Sequence, residues 1–270
     1  TDEPAHAEAH CSGYLRVGVR SVVCPGVSPP PYPNRFRRWS SGDAEEVDVT
    51  LERQLEVCEA LVASCHGAYD GMSRVMLCAP VAYPGRHGVT PETAGLYDQV
   101  AREVRALSRR LGVGFTQDGH KGGTVRVAHE TGLLGPDALL SHCIDLNEDE
   151  IRLIAETDTK IAHNPSANMS IVGRCPAIQL MDAGATVAIA SDGTAPDRSF
   201  DMFRHMFQAM HYHRRHFRDA KVLPPGKALE MITCDAARAL GLQGEIGSLE
   251  LGKRADIAIV NLRKPHLWPG

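Results

Sequence analysis

Short apolar segments rich in β-branched residues alternate with longer segments of helical period along most of the chain. "LRVGVRSVVCP" is followed by a helical stretch over residues 48 to 66, then "RVMLCAP", then the helical "TAGLYDQVAREVRALSRRLG". The rhythm continues through "VGFTQDGH", a Gly-rich turn with a short helix, "ALLSHCIDL", "NEDEIRLIAETD", "TKIAHNPSAN", "CPAIQLMDAG" and "TVAIASDG". Strands that recur with an intervening helix build right-handed βαβ units and a parallel sheet. About six strands are expected between Arg16 and Gly193. Helix punctuation agrees: Asn147 before three acids reads as an N-cap, and Gly112 and Gly184 stand where C-terminal glycines belong.

Two stretches break the rhythm. "GVSPPPYPNRFRRWSSGD" reads as an extended, polyproline-like surface loop, a lid or a disordered excursion. After Gly193 come the helical tracts "SFDMFRHMFQAMHYHRRHFRDA" and "PPGKALEMITCDAARALGL". The end, "GEIGSLELGKRADIAIVNL", then turns to a small β structure with "DIAIV" as a strand. The expected division is residues 1–240 as the α/β unit and 241–270 as this β segment.

Composition narrows the function classes. With 43% apolar and 23% charged residues the chain reads as globular, and a net charge of −4 with no basic cluster gives no footprint for nucleic acid. No apolar run approaches the roughly 20 residues that cross a bilayer, and the acidic start has no signal-peptide pattern, so a cytoplasmic protein with no membrane partner is expected. Eight scattered cysteines without a Cys-x-x-Cys pair read as reduced structural thiols.

The chemistry sits at strand ends. "VGFTQDGH" ends near His120, "LLSHC" ends on His142, "KIAHN" on His163 and "VAIASDG" on Asp192. The C-terminal ends of parallel strands are where such sheets build active sites. Taken singly, a histidine there is more often a hydrogen-bonded structural residue than a ligand. Four consecutive strands ending this way shift the weight towards imidazoles and a carboxylate converging on a divalent metal and its water. Weaker signals have plainer readings. "KGGT" after His120 is a tight turn, and Cys143 points away from His142. Arg174 and Cys175 fall on the surface, and His205, His211, His213 and His216 belong to a solvated basic helix.

Beyond these residues, "SHCIDLNEDEIRLIA", "AHNPSANM", "LMDAGATVAIASDG", "DMF" and "GSLELGKRADIAIV" together resemble the amidohydrolase superfamily, in its chlorohydrolase and aminohydrolase branch. The likeness runs from about Leu111 to the end. It implies a (β/α)8 TIM-type barrel, here lacking its first strand or strands, with a remnant of a small C-terminal β-sandwich. It also implies one divalent ion, zinc first and iron or manganese as alternatives. By position, His142 matches the sixth-strand histidine and Asp192 the eighth-strand aspartate, while His163 and Asn168 match a segment beside the substrate. The expected metal ligands are therefore His120, His142 and Asp192. Asp192 and His142 are the catalytic groups, and His163, Asn168 and Gln117 border the substrate. The His-x-His pair of the family's first strand has no counterpart, and the fifth strand lacks the His-x-x-Glu of the branch's deaminases. Asp118 or Gln117 stands near that place, which favours hydrolysis of an amide or related C–N bond in a small cyclic nitrogen compound. The expected assembly is a homodimer. The alternatives are an inactive barrel with a binding or structural role and, further off, a metal-free hydrolase with a cysteine nucleophile.

Overall fold

The computed structural model describes residues 3–40, 43–83, 89–168, 172–193, 199–261 and 263. In chain order its elements are α1 (Pro4–Arg16), β1 (Ser21–Val23), β2 (Asn34–Ser40), β3 (Asp43–Val49), α2 (Leu51–Cys65), α3 (Ala68–Gly71), β4 (Ser73–Ala79), α4 (Pro91–Leu111), β5 (Gly114–Gln117) and α5 (Thr124–Glu130). They continue as β6 (Ala138–Ser141), α6 (Glu148–Glu156), β7 (Lys160–His163), α7 (Pro165–Asn168), α8 (Ala177–Asp182), β8 (Val187–Ile189), α9 (Met202–Phe217), α10 (Pro225–Ile232) and α11 (Cys234–Ala239).

Six strands form one parallel sheet in the order β1-β4-β5-β6-β7-β8. Each is a short run of apolar and β-branched residues, and each later strand is entered through a helix that turns the chain back along the sheet. Leu77, Phe115, Leu140, Ile161 and Val187, one from each of five neighbouring strands, are buried to 1% exposure or less. Each such side chain contributes roughly 1.5–3 kcal/mol through removal from water. The helix α4 packs on β4 and β5, while α10 and α11 pack on β8. Among the described residues β1 and β8 are the sheet edges, so the expected parallel sheet is present as a curled half-barrel.

The helix punctuation is as expected. Asn147 caps α6 by accepting from the Glu150 N–H, with the reciprocal bond from the Asn147 N–H to the Glu150 carboxylate completing a capping box. Gly112 ends α4 in the left-handed conformation at φ 67°.

Two expectations differ. The Pro-rich stretch opens with loop, but its second half forms β2, which pairs antiparallel with β3 just beyond it, not an extended loop. Its register sets Arg35 opposite Asp48 and Arg37 opposite Glu46, so cross-strand charge pairs support strands that carry little apolar surface. At the other end, "DIAIV" forms no strand. A strand needs a neighbour for its backbone groups, and the described residues supply none to residues 256–260.

Candidate active site

Three residues just past the strand ends have backbone in unusual positions. His142 (φ 72°), Cys143 (φ 48°) and Asp192 (φ 60°) all lie in the left-handed region, which costs free energy for residues other than glycine and clusters at functional sites. The loops after β5 and β6 hold each other: the His120 N–H donates to the Ser141 carbonyl, and the Ile144 N–H donates to the His120 carbonyl. Gly122 lies so close to this partner that a Cβ would sit 2.7 Å from the Asp145 carbonyl oxygen.

These constraints bring side chains from four strands together. His142 Nε2 lies 2.9 Å from Asp118 Oδ1 and 3.9 Å from Asp192 Oδ2. On the other side of the ring, Asn164, just past β7, approaches His142 Nδ1 at 3.2 Å. With Nδ1 accepting from the Asn164 amide, the ring hydrogen of the neutral imidazole is on Nε2, facing the two carboxylates. The imidazole is largely covered at 11% exposure, while Asp118, at 71%, faces solvent.

Gln117 closes β5 and is buried, its amide nitrogen donating to the Pro80 carbonyl at 3.2 Å. That bond turns Oε1 towards His120 Nε2, 3.3 Å away. His120 is fully buried, and burial pushes its imidazole down to about 4. Its Nδ1 lies 2.9 Å from the Thr124 hydroxyl, which is also 2.7 Å from the Lys121 carbonyl. If the carbonyl takes the single hydroxyl hydrogen, His120 donates from Nδ1 and its Nε2 lone pair faces the Gln117 oxygen. Two acceptors 3.3 Å apart suit a cation between them, and that separation is close to the ligand spacing, about 3.3 Å, of a tetrahedral zinc site with bonds near 2.0–2.1 Å. This one pair of acceptors therefore suits a divalent cation. Among the described residues no three His, Cys, Asp or Glu side chains already converge as a metal site.

His163 ends β7, fully buried, and its pKa is held well below the usual range by burial first and then by the nearby His213, His142 and Arg174. Its Nε2 meets His213 Nε2 at 3.3 Å. Asn168 closes α7, and its side chain lies outside the described residues. The strand-end residues His142, Asp192 and Gln117 thus share one end of the sheet with His120, His163 and Asp118.

The histidine helix differs from expectation. His205 and His213 in α9 are buried, and only part of the helix is a solvated basic face. Their spacing in register with Met206 and Ala209, both buried on the inner face, was the available signal. Asn164, which holds the His142 ring, carried no separate signal beyond its place in "HNPSAN". Arg174 hydrogen-bonds Gln179 and approaches the Phe217 ring at 5.9 Å, and Cys175 is buried instead of on the surface.

A parallel half-barrel with imidazoles and carboxylates gathered at the strands' C-terminal ends is the architecture of an α/β barrel protein with a site at that end. Residues 109–267 match the Amidohydrolase family, and the chain belongs to it. A 5'-deoxyadenosine deaminase of Methanothermobacter thermautotrophicus is 33% identical over 231 residues, covering 84% of this chain and 53% of that protein. A 5-methylthioadenosine/S-adenosylhomocysteine deaminase of Moorella thermoacetica is 30% identical, covering 98% of this chain and 58% of that one. The chain therefore spans little more than half the length of these curated relatives. Among solved structures, an adenosine deaminase from Xanthomonas campestris with bound zinc superposes with a TM-score of 0.77 at 23% identity, over 97% of this chain and 57% of that one. Guanine deaminase of E. coli gives 0.70 at 18% identity, over 94% and 56%. At these identities the superpositions speak for the fold. No described helix is long and apolar enough to cross a membrane.

Proposed function

We propose that this chain supplies the strand-end machinery of a hydrolase that cleaves a C–N bond in a small nitrogen heterocycle. The observation that carries the reading is the His142 imidazole, held by Asn164 on one nitrogen and faced by Asp118 and Asp192 on the other. One divalent ion, zinc first and iron or manganese as alternatives, is proposed to be held by His120, His142 and Asp192; when bound, such an ion makes hydroxide available near neutral pH. Asp192 takes the proton of the attacking water and returns it to the leaving nitrogen. With its hydrogen on Nε2, His142 is a donor suited to orienting the water or polarising the scissile group, and ligation through that atom requires the proton to leave. Gln117, His163 and Asn168 are proposed to border the substrate.

Both curated relatives carry deaminase names, which supports deamination over amide cleavage and makes 5'-deoxyadenosine and 5-methylthioadenosine the first compounds to assay. The test is metal content per chain together with ammonia release, in the parent and in Asp192→Asn. About one equivalent of metal and turnover in the parent, with turnover lost in the folded variant, is expected. A parent that takes up no zinc, iron or manganese, or a variant as active as the parent, overturns the reading.

The proposed setting is a cytoplasmic homodimer, supported by eight free cysteines and by Phe200, Phe203 and Phe207 standing exposed on or beside α9. Residues 1–240 are proposed as the barrel unit and 241–270 as a β-sandwich segment, supported by the exposed apolar side chains Leu249, Leu251, Ile257, Ile259 and Val260.

A further inference from the structure

We infer that His213 on α9 is a positioning residue whose tautomer is coupled to that of His163, so that whichever ring donates at their shared edge decides whether His163 offers a donor or an acceptor to the site. The inference rests on the proposed reading only in placing His163 beside the substrate.

The two imidazoles are buried, with ring centroids 5.3 Å apart and Nε2 atoms 3.3 Å apart. Two ring nitrogens at that distance bond only if one carries a hydrogen and the other a lone pair. The rings therefore hold opposite tautomers, and the choice made at one shared edge fixes both outer edges. If His213 donates, His163 accepts on Nε2 and carries its hydrogen on Nδ1. If His163 donates, its Nδ1 is a bare acceptor.

That outer edge is the unusual part. The Nδ1 atoms of His163 and His213 are both buried and have no hydrogen-bond partner among the described residues. Buried polar groups in folded chains are nearly always satisfied, by protein, water or ligand. His163 ends β7 one residue before Asn164, which holds the His142 ring, and the His142 charge is among those acting on His163, so the His163 ring lies within electrostatic reach of the strand-end cluster. Among the described residues, His213 alone hydrogen-bonds the His163 ring, so no other group fixes where its hydrogen sits. The geometry makes α9, an element bearing none of the strand-end residues, the part that sets the hydrogen-bonding polarity of β7's last residue.

Two variants separate this role from simple packing. His213→Phe keeps an aromatic ring and removes both nitrogens, whereas His213→Gln loses the ring and keeps a group able to bond His163. Nitrogen-15 NMR on the histidine-labelled chain reports the His163 tautomer without any assay of turnover. Opposite tautomers on His163 and His213 in the parent, and a shifted His163 tautomer ratio in His213→Phe, are expected. Where turnover is measurable, His213→Phe should raise KM about tenfold, the worth of one hydrogen bond, with kcat changed far less, and His213→Gln should recover most of it. An unchanged His163 tautomer in His213→Phe overturns the inference, even in an active enzyme. Absence of turnover with the expected tautomer pattern counts against the proposed function and leaves the pairing standing.

Discussion

Glu150 is the third residue of α6, yet its influence falls on a different helix. One carboxylate oxygen accepts from the backbone N–H groups of Gly123, Val125 and Arg126 at 2.8, 3.1 and 3.4 Å, and the other accepts from Asn147. The side chain is fully buried. It occupies the N-terminus of α5, where unpaired N–H groups and the helix dipole favour an anion, and so anchors the loop that carries Asp118 and His120. Glu150→Ala strands several buried donors at once and should cost roughly 3 kcal/mol by urea denaturation, whereas Glu150→Gln retains an uncharged acceptor and should cost about half of that. A loss below about 1 kcal/mol in the alanine variant would show that water replaces the carboxylate. The sequence shows this residue only as one of three acids behind Asn147, because its reach to α5 depends on how the two helices pack.

At the scale of elements, α4 is tied to the β5–β6 connection by Arg105, whose guanidinium is buried and holds Asp137 through two bonds of 2.7 and 2.6 Å. The Arg105 hydrogen bonds keep the Asp137 carboxyl below the usual carboxylate range. A group whose pKa is depressed on folding stabilises the fold above its unfolded value, near 3.9, and that contribution disappears as pH falls through the folded value. Asp137→Asn should therefore lower stability between pH 5 and 8 by about 1–2 kcal/mol, less than a fully buried pair because the Asp137 side chain is 44% exposed. The gap between parent and variant should begin to narrow below about pH 4 and close as pH falls through the depressed folded value, and a gap that does not narrow would assign the loss to packing. The six parallel strands were legible because each alternates with a helix in the chain. So were the polar residues at their ends, since parallel order places those ends together. The ribbon of β2 and β3 was hidden because its strands are held by the Arg35–Asp48 and Arg37–Glu46 pairs, and prolines before them point to a loop. The inward turn of His205 and His213 showed only in their register with Met206 and Ala209, since a helix rich in Arg and His looks solvated until the partner of its inner face, His163, is in place.

On the scale of the whole molecule, the chain beyond α11 returns to the opposite side of the sheet. α11 packs on β7 and β8, while the tail after it is bonded to residues at the start of β1 and β4: Arg20 holds Asp256 at 3.0 Å, Arg74 pairs with Glu245, and Arg254 bonds Asp70 at 2.9 Å. These contacts run along the N-terminal ends of the strands, opposite the end that gathers His142 and Asp192. Leu249, Leu251, Ile257 and Ile259 are all exposed, so apolar burial does not hold this stretch and charge is the main attachment. Exposed ion pairs weaken as salt shortens the Debye length, from about 10 Å at 0.1 M to about 3 Å at 1 M. Hydrogen exchange at the Arg254 amide, which donates to the Glu245 carbonyl within the tail, reads how firmly the ion pairs of Arg254 and Glu245 hold that stretch. In the parent its exchange should quicken severalfold at high salt. In Arg254→Ala the same amide should exchange fast already and be insensitive to salt, with metal content unchanged because the strand C-terminal ends lie across the sheet. Equal protection in the parent at both salt concentrations would mean that the backbone bonds alone hold the tail, and the ion pairs would then be passengers on a segment fixed by its turns.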